Sequence, residues 1–131
     1  MDQTPLTPHW GSVTAFALPE NDAARPVGPP QFGDPTPYTD AKGVTTTNHE
    51  AYVSQIVEVA QYSADLTAEQ KLIAEFWADG PRTESPPGHW NQFAQDLALR
   101  DGHGIDEDAK MFFAVNAAIF DAGIAAWDAK Y

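Results

Sequence analysis

The segment Glu107–Tyr131 constrains the fold more than any other part of this sequence. It reads EDAKMFFAVNAAIFDAGIAAWDAKY, and Gly123 is its only glycine or proline. Its Ala, Met, Phe, Ile and Lys content predicts a helix of about 24 residues, roughly 36 Å long, that begins near Asp106. A helix that is apolar on nearly all sides needs neighbours on most of them, so the other segments must pack around this one.

A helical projection of this segment, at about 100° per residue, separates its charged residues into two groups. Lys110, Asp121 and Asp128 form one narrow polar stripe. Lys130 lies almost opposite the two acids, on a line whose other members are apolar: Phe112, Ile119, Gly123 and Ala126. Three explanations of this lysine are open on geometry alone. It snorkels to water, the helix frays at the chain end, or the ammonium group is buried and meets an anion.

The apolar helix has no Gly, Asn or Pro stop signal before Tyr131. We therefore expect the chain to be the N-terminal part of a larger protein, or one chain of a split one. Its own length of 131 residues allows a single domain.

Composition excludes several classes of function. The net charge of −12 and the pI near 4.3 argue against nucleic acid and anionic membrane surfaces as partners. The absence of cysteine excludes disulfides and thiolate metal sites. The N-terminus MDQTPLTPHWG contains no visible signal peptide. We expect an acidic, soluble chain whose compartment is left open, and export of the parent protein is one alternative. The apolar run Met111–Trp127 contains Asn116 and Asp121 and is slightly short, so we predict no membrane span.

Residues 1–47 contain eight of the eleven prolines, which predicts an extended arm without long helices or central strands. Both ordered wrapping across a helical surface and disorder are compatible with this composition. Ordering is favoured by the large side chains that punctuate the arm: His9, Trp10, Val13, Phe16, Leu18 and Phe32.

The apolar spacing in residues 48–131 predicts four helices. The expected fold class is therefore all-α, a four-helix segment of a larger helical bundle. The first helix spans Asn48–Ala64. The second starts at a capping box that Thr67 opens, and its expected buried face is Leu72, Ile73, Phe76 and Trp77. The third carries Trp90, Phe93, Ala94 and Leu97 on one face and stops at Asp101-Gly102-His103-Gly104. No strand pattern is visible.

No metal site is predicted. DGHGIDED at positions 101–108 places Ile105 where a calcium ligand belongs and Phe112 where the bidentate glutamate belongs, so a helix–helix turn with capping acids is the better interpretation. No two of the four histidines have the spacing of a helical zinc site. For His89, hydrogen bonding at a helix start is the simpler expectation, and a supporting position beside a site is the alternative. Phosphate-binding glycine loops and serine nucleophile elbows are also lacking.

Three blocks together resemble a known family. They are His9-Trp10-Gly11 with Phe16-Ala17-Leu18, FWADG at 76–80 with PPGHWN at 86–91, and DAGIAAWDAKY at 121–131. Their order and content are similar to the N-terminal half of bacterial vanadium-dependent haloperoxidase-like proteins, which belong to the type-2 phosphatidic acid phosphatase superfamily of helical bundles. The resemblance covers nearly the whole chain, and the middle and last blocks are the more specific.

The resemblance implies a role for Lys130. In that family a lysine followed a few residues later by Arg-Pro is the first of three anion-binding motifs, and Lys130 stands in its place. Trp127 matches a tryptophan that lines the pocket beside the vanadate. The implied cofactor is vanadate, or phosphate in its place, and this chain contributes one ligand of the site. The remaining C-terminal half of the fold, in cis or as a second chain, is the implied partner, together with a small anion, peroxide and halide.

Three functions are compatible with these patterns. The first is the N-terminal portion of a haloperoxidase-like enzyme, in which the lysine would polarise peroxide for attack by halide. The second is a phosphatase of the same fold, in which it would stabilise charge on phosphoryl oxygens. The third is a non-catalytic helical partner subunit. In every case we expect the isolated chain to be inactive, since one lysine cannot hold a multiply charged oxyanion.

Overall fold

The structure, a computed structural model that describes residues 7–131, is mainly helical, as the sequence predicts. A single 3-10 turn at Trp10–Ser12 precedes the other elements of the described part. These follow in chain order: β1 (Pro37–Thr39), β2 (Thr45–Thr47), α1 (Asn48–Ala64), α2 (Ala68–Phe76), α3 (Ser85–Asp101) and α4 (Ile105–Lys130). The four helices are those that the apolar periodicity predicts.

The described residues form two compact units. One combines residues 7–25 of the arm with Asp79–Tyr131, and so contains α3 and α4. The other, Pro26–Ala78, contains the two strands, α1 and α2. The proline-rich arm predicted for residues 1–47 is therefore divided between the units, and its first six residues lie outside the described part.

The starts of α1 and α2 are fixed by capping boxes. The Thr47 hydroxyl accepts a bond from the backbone N–H of Glu50 at 3.1 Å, and the Glu50 carboxylate accepts one from the N–H of Thr47 at 3.0 Å. Thr67 and Gln70 repeat the arrangement at 3.1 and 2.9 Å. Two otherwise unpaired backbone donors are satisfied at each start, which explains why both helices begin where the sequence predicts.

The turn between α3 and α4 is a pair of helix caps. Gly102 has φ +67°, the left-handed conformation that ends many helices, and the backbone N–H of His103 bonds back to the carbonyl of Ala98 at 3.0 Å. The Glu107 carboxylate accepts the N–H of Gly104 at 2.8 Å and so caps α4. One acid of this turn, Glu107, therefore caps α4, while Asp101 pairs with Arg100.

The small hairpin contradicts the expectation that no strands occur. β1 and β2 pair antiparallel, with Tyr38 opposite Thr46. The Asp40 carboxylate accepts the backbone N–H groups of Lys42 and Val44 at 2.9 and 2.8 Å, and Gly43 takes φ +80°. Each strand has three residues, too few for a visible period of two, so the turn chemistry was the only available signal.

The predicted buried face of α2 is wrong for this chain. Its large side chains are 47–66% exposed: Leu72, Ile73, Phe76 and Trp77. Neither α1 nor α2 contains a buried residue. In the unit with α3 and α4, the buried apolar side chains among the described residues are Ala94 and Ile124. Amphipathic periodicity identified the helices, but it did not supply the neighbours that would cover them.

Within residues 7–131, α4 is the one helix long and apolar enough to cross a membrane by length and composition. Such a test is weak evidence for a single helix, because core helices of water-soluble proteins also pass it. The prediction against a membrane span rests on Asn116 and Asp121, and both side chains are engaged by other segments of the protein.

Candidate functional site

The arm approaches α4 most closely at Gly11. A Cβ atom placed on this glycine would lie 2.6 Å from the backbone nitrogen of Asp128 and 3.0 Å from the carbonyl carbon of Trp127. Any side chain here would therefore collide with the helix backbone. Two edge-to-face aromatic pairs, Trp10 with Phe120 and Phe16 with Phe113, add contacts on the same helix.

Asp121 anchors the arm through three backbone N–H groups. Its carboxylate accepts bonds from Phe16, Ala17 and Leu18 at 2.6, 2.7 and 3.0 Å, and the residue is only 6% exposed. Burial raises the pKa of Asp121, but the three N–H donors outweigh that effect and leave the pKa below its ordinary value. The carboxylate is thus held ionised, as the acceptor for a segment that has no secondary structure to satisfy its own donors.

One further contact joins the arm to the helix, and another folds the arm back on itself. Arg25 donates two bonds to the carboxylate of Asp128, from Nε at 2.8 Å and from Nη2 at 2.7 Å. The Asn21 amide bonds the carbonyls of Gly11 and Val13 and so folds the arm back on itself. The two acids of the predicted polar stripe, Asp121 and Asp128, therefore form the arm-docking side of α4.

Lys130 lies in the last turn of α4 and is exposed. Its Nζ is 5.3 Å from the ring centroid of Trp127 and 5.3 Å from that of Tyr131. Both distances are within the range of cation–π attraction. Trp127 is half-buried and lies one helical turn before the lysine; its assignment as a pocket wall stays a prediction.

Lys130 alone would supply one cationic ligand to an oxyanion. The C-terminal end of a helix carries partial negative charge, which favours a lysine but opposes an anion. Arg25, another cation near this end of α4, is already paired with Asp128. A vanadate or phosphate ion at Lys130 would therefore need further cations and N–H donors beyond those that the described residues bring to this end of α4.

A second group of chemically active side chains lies at the start of α3. Nδ1 of His89 is 3.0 and 3.2 Å from the two carboxylate oxygens of Asp79, and the side chains are 6% and 11% exposed. Glu84 completes a set whose nitrogen and oxygen donor atoms all lie within 4.8 Å of one another. His89 therefore pairs with a carboxylate ten residues upstream, instead of serving only as a helix-start hydrogen-bonding group.

An asparagine pair connects α3 to α4. The amide nitrogens of Asn91 and Asn116 each donate to the other's amide oxygen at 3.0 Å. Each also donates to a carbonyl one turn back on its own helix, at 2.8 Å: Pro87 for Asn91 and Phe112 for Asn116. The pair fixes the orientation of the helix that carries His89 against the helix that carries Lys130.

The assignments of Lys130 and Trp127 from the sequence stay predictions, and sequence reasoning missed Asp79 and Glu84 as neighbours of His89. The spacing of five residues between successive members fits no familiar helical ligand pattern, because a turn separates Asp79 from α3. The only available signal was an aspartate directly before the breaker Gly80-Pro81, with a histidine just after the proline pair. The role of Asp121 was also missed, since a helical projection cannot tell a solvated acid from one that accepts bonds from another segment.

Comparisons with known proteins do not assign the chain to a family. No protein-family model matches it, and searches of curated proteins and of solved structures also find no match.

Proposed function

We propose that this chain is the N-terminal portion of a vanadium-dependent haloperoxidase-like enzyme, in which Lys130 is one ligand of a vanadate site and Trp127 is part of the pocket wall. The remaining ligands come from further polypeptide, in the same chain or in a second one. Vanadate, when bound, supplies peroxide activation for the oxidation of halide.

The observation that carries the proposal is the position of Lys130. It lies about 180° around α4 from Asp121, the residue that anchors the arm. Its Nζ lies 5.3 Å from the ring centroids of Trp127 and Tyr131, and the side chain is exposed, so an oxyanion could reach the ammonium group. The compact charge of a lysine ammonium group is a suitable ligand for a tetrahedral anion.

Exposed apolar surface supports the need for further polypeptide. In the unit with α3 and α4, Leu99 is 82% exposed and Ile105 is 85% exposed. Trp90 and Leu97, on the predicted inner face of α3, are 51% and 40% exposed. Additional helices of a bundle would cover such side chains, and each large apolar side chain that they buried would contribute about 1.5–3 kcal/mol.

Lys130 would act electrostatically in this site. Its positive charge would stabilise the negative charge on the oxygens of the bound anion. The C-terminal end of the helix cannot do this, because it carries partial negative charge. The same contact would serve phosphoryl transfer, so the phosphatase activity of the same fold is the alternative outcome of the test.

The test uses the complete protein that contains this chain. We expect Lys130→Ala to weaken vanadate binding by at least about ten-fold, equivalent to about 1.4 kcal/mol, as measured by calorimetry. Lys110→Ala is the matched control, because it removes an exposed lysine from the same helix. Equal losses from the two substitutions would refute the assignment of Lys130.

Turnover separates the two enzyme classes. Oxidation of halide by peroxide after addition of vanadate would support the proposal. Hydrolysis of phosphate esters that vanadate inhibits, without halide oxidation, would replace it with the phosphatase. Absence of both activities and of vanadate binding would leave the chain a non-catalytic helical subunit and would overturn the proposal.

A further inference from the structure

A group of three donor residues lies at and just before the start of α3 and is not used in the proposal for Lys130. Asp79 precedes the turn that leads into α3, Glu84 lies just before the helix, and His89 lies in its second turn. We propose that Asp79, Glu84 and His89 form a binding site for a divalent transition-metal ion of the zinc class.

The Asp79–His89 pair already has the separation of two ligands on one ion. Zinc–nitrogen and zinc–oxygen bonds are about 2.0–2.2 Å long, which places neighbouring ligands of a tetrahedral shell about 3.3–3.5 Å apart. His89 Nδ1 lies 3.0 and 3.2 Å from the two oxygens of Asp79. An ion between these atoms requires only a small outward shift of the carboxylate.

Burial fixes this pair in place. His89 is 5% exposed, and its ring packs against Phe93 with centroids 4.9 Å apart. Asp79 is held at the beginning of a tight turn in which the Thr83 hydroxyl bonds the carbonyl of Gly80 at 2.8 Å. A site with two preset ligands avoids much of the ordering cost that a flexible surface cluster incurs on binding.

Gly88 is the independent observation that brings Glu84 into the set. A Cβ atom on Gly88 would lie 2.8 Å from Cβ of Glu84 and 3.6 Å from its Cγ. The glycine therefore makes room for the glutamate stem against α3, next to His89. Glu84 is exposed, so its carboxylate is free to rotate onto an ion while the buried pair stays in place.

The donor set selects the type of ion. One imidazole nitrogen with two carboxylates suits Zn²⁺ and its neighbours Co²⁺ and Ni²⁺, whereas Ca²⁺ and Mg²⁺ prefer an all-oxygen shell. Three protein ligands leave at least one coordination position for water or another small ligand. The expected order of affinity is therefore Zn²⁺ well above Mg²⁺ and Ca²⁺.

The chain offers a matched control for the histidine. Nδ1 of His103 lies 3.5 Å from a carboxylate oxygen of Asp108, so it is a second histidine–aspartate pair in the same unit. This second pair is not part of the grouped donor set that includes Glu84. If zinc simply bound any histidine beside an acid, His103→Gln would matter as much as His89→Gln.

The experiment titrates the purified chain with Zn²⁺ in a calorimeter, with excess Mg²⁺ present, and follows Co²⁺ by its visible absorption. We expect one ion per chain, a loss of at least about ten-fold in affinity for His89→Gln and for Glu84→Gln, and no change for His103→Gln. Glu84→Gln keeps the test decisive if His89→Gln fails to fold, because the Glu84 side chain is exposed. Absence of one-to-one binding, full affinity in Glu84→Gln, or an equal loss in His103→Gln would each overturn the proposal, whatever the outcome at Lys130.

Discussion

Gly11→Ala tests whether the arm is docked on α4 as the structure describes. The added Cβ would lie 2.6 Å from the nitrogen and 2.7 Å from the Cα of Asp128. Ordinary contacts between carbon atoms are about 3.5–4.0 Å, so the arm or the helix must shift by about 1 Å. The nearby atoms belong to the helix backbone, so no side-chain rotation can relieve the collision.

The expected loss of stability can be taken from other proteins in which a packed site was given extra atoms. Extra methyl groups in well-packed sites cost about 1–3 kcal/mol. For a chain of this size about 1 kcal/mol corresponds to about 4 °C, so the Tm of the unit should fall by about 4–12 °C. Circular dichroism measures this change. Hydrogen exchange at the amides of Phe16, Ala17 and Leu18 locates it, since these groups should lose protection when the arm leaves Asp121.

Gly28→Ala is the control for the change of residue type. No atom lies within 4 Å of a Cβ placed on Gly28. Alanine there only restricts the unfolded chain, so the Tm should be unchanged or slightly higher. The described docking is refuted if Gly11→Ala melts no lower than Gly28→Ala and keeps the protection of the three amides.

Two further predictions concern the same unit. The pKa of Asp121 is lower in the folded state, so its stabilising effect is fully present above the ordinary aspartate value of about 3.9 and declines as pH falls below it. In acid, hydrogen exchange should show that the amides of Phe16, Ala17 and Leu18 lose protection. In Asp121→Asn these amides should be weakly protected at every pH. A loss of protection in acid that persists in the variant would contradict the assignment. Asn91→Ala and Asn116→Ala should be non-additive in chemical denaturation, with a coupling of about 0.5–1.5 kcal/mol from their shared bonds, and additive losses would show that the pair does not connect α3 to α4.

Local sequence signals predicted the helices well. Thr47 and Thr67 start α1 and α2, and Gly102 ends α3, because each acts within four residues of the backbone groups it satisfies. The start of α3 at Ser85 was harder to predict, because Pro86 suggests a turn. A proline is nevertheless tolerated in the first helical turn, where its missing N–H would have no intrahelical partner.

Contacts between distant segments could not be predicted in the same way. Asp121 and Leu18 are 103 positions apart, and nothing in the local pattern of either residue specifies the other. The bond exists because the arm's prolines prevent helix formation and leave backbone donors that must find acceptors elsewhere. The Asp79–His89 pair was missed for a related reason, since its two members lie on either side of a turn whose geometry the sequence did not determine.

Asp121 and Lys130 lie on opposite sides of α4, so docking of the arm and the proposed anion binding can be tested separately. Asp121 holds the arm, so its substitution should release the arm and change the proposed anion affinity only through loss of folding. Lys130 contacts the aromatic rings of Trp127 and Tyr131 and takes no part in the arm contacts, so Lys130→Ala should leave the amide protection of Phe16–Leu18 intact. In the complete protein, substitution of Asp121 should therefore reduce arm protection, whereas Lys130→Ala should reduce vanadate binding and leave arm protection unchanged. If both removed vanadate binding and arm protection together, α4 would be acting as one structural unit, and the loss of binding in Lys130→Ala could no longer be assigned to the ammonium charge.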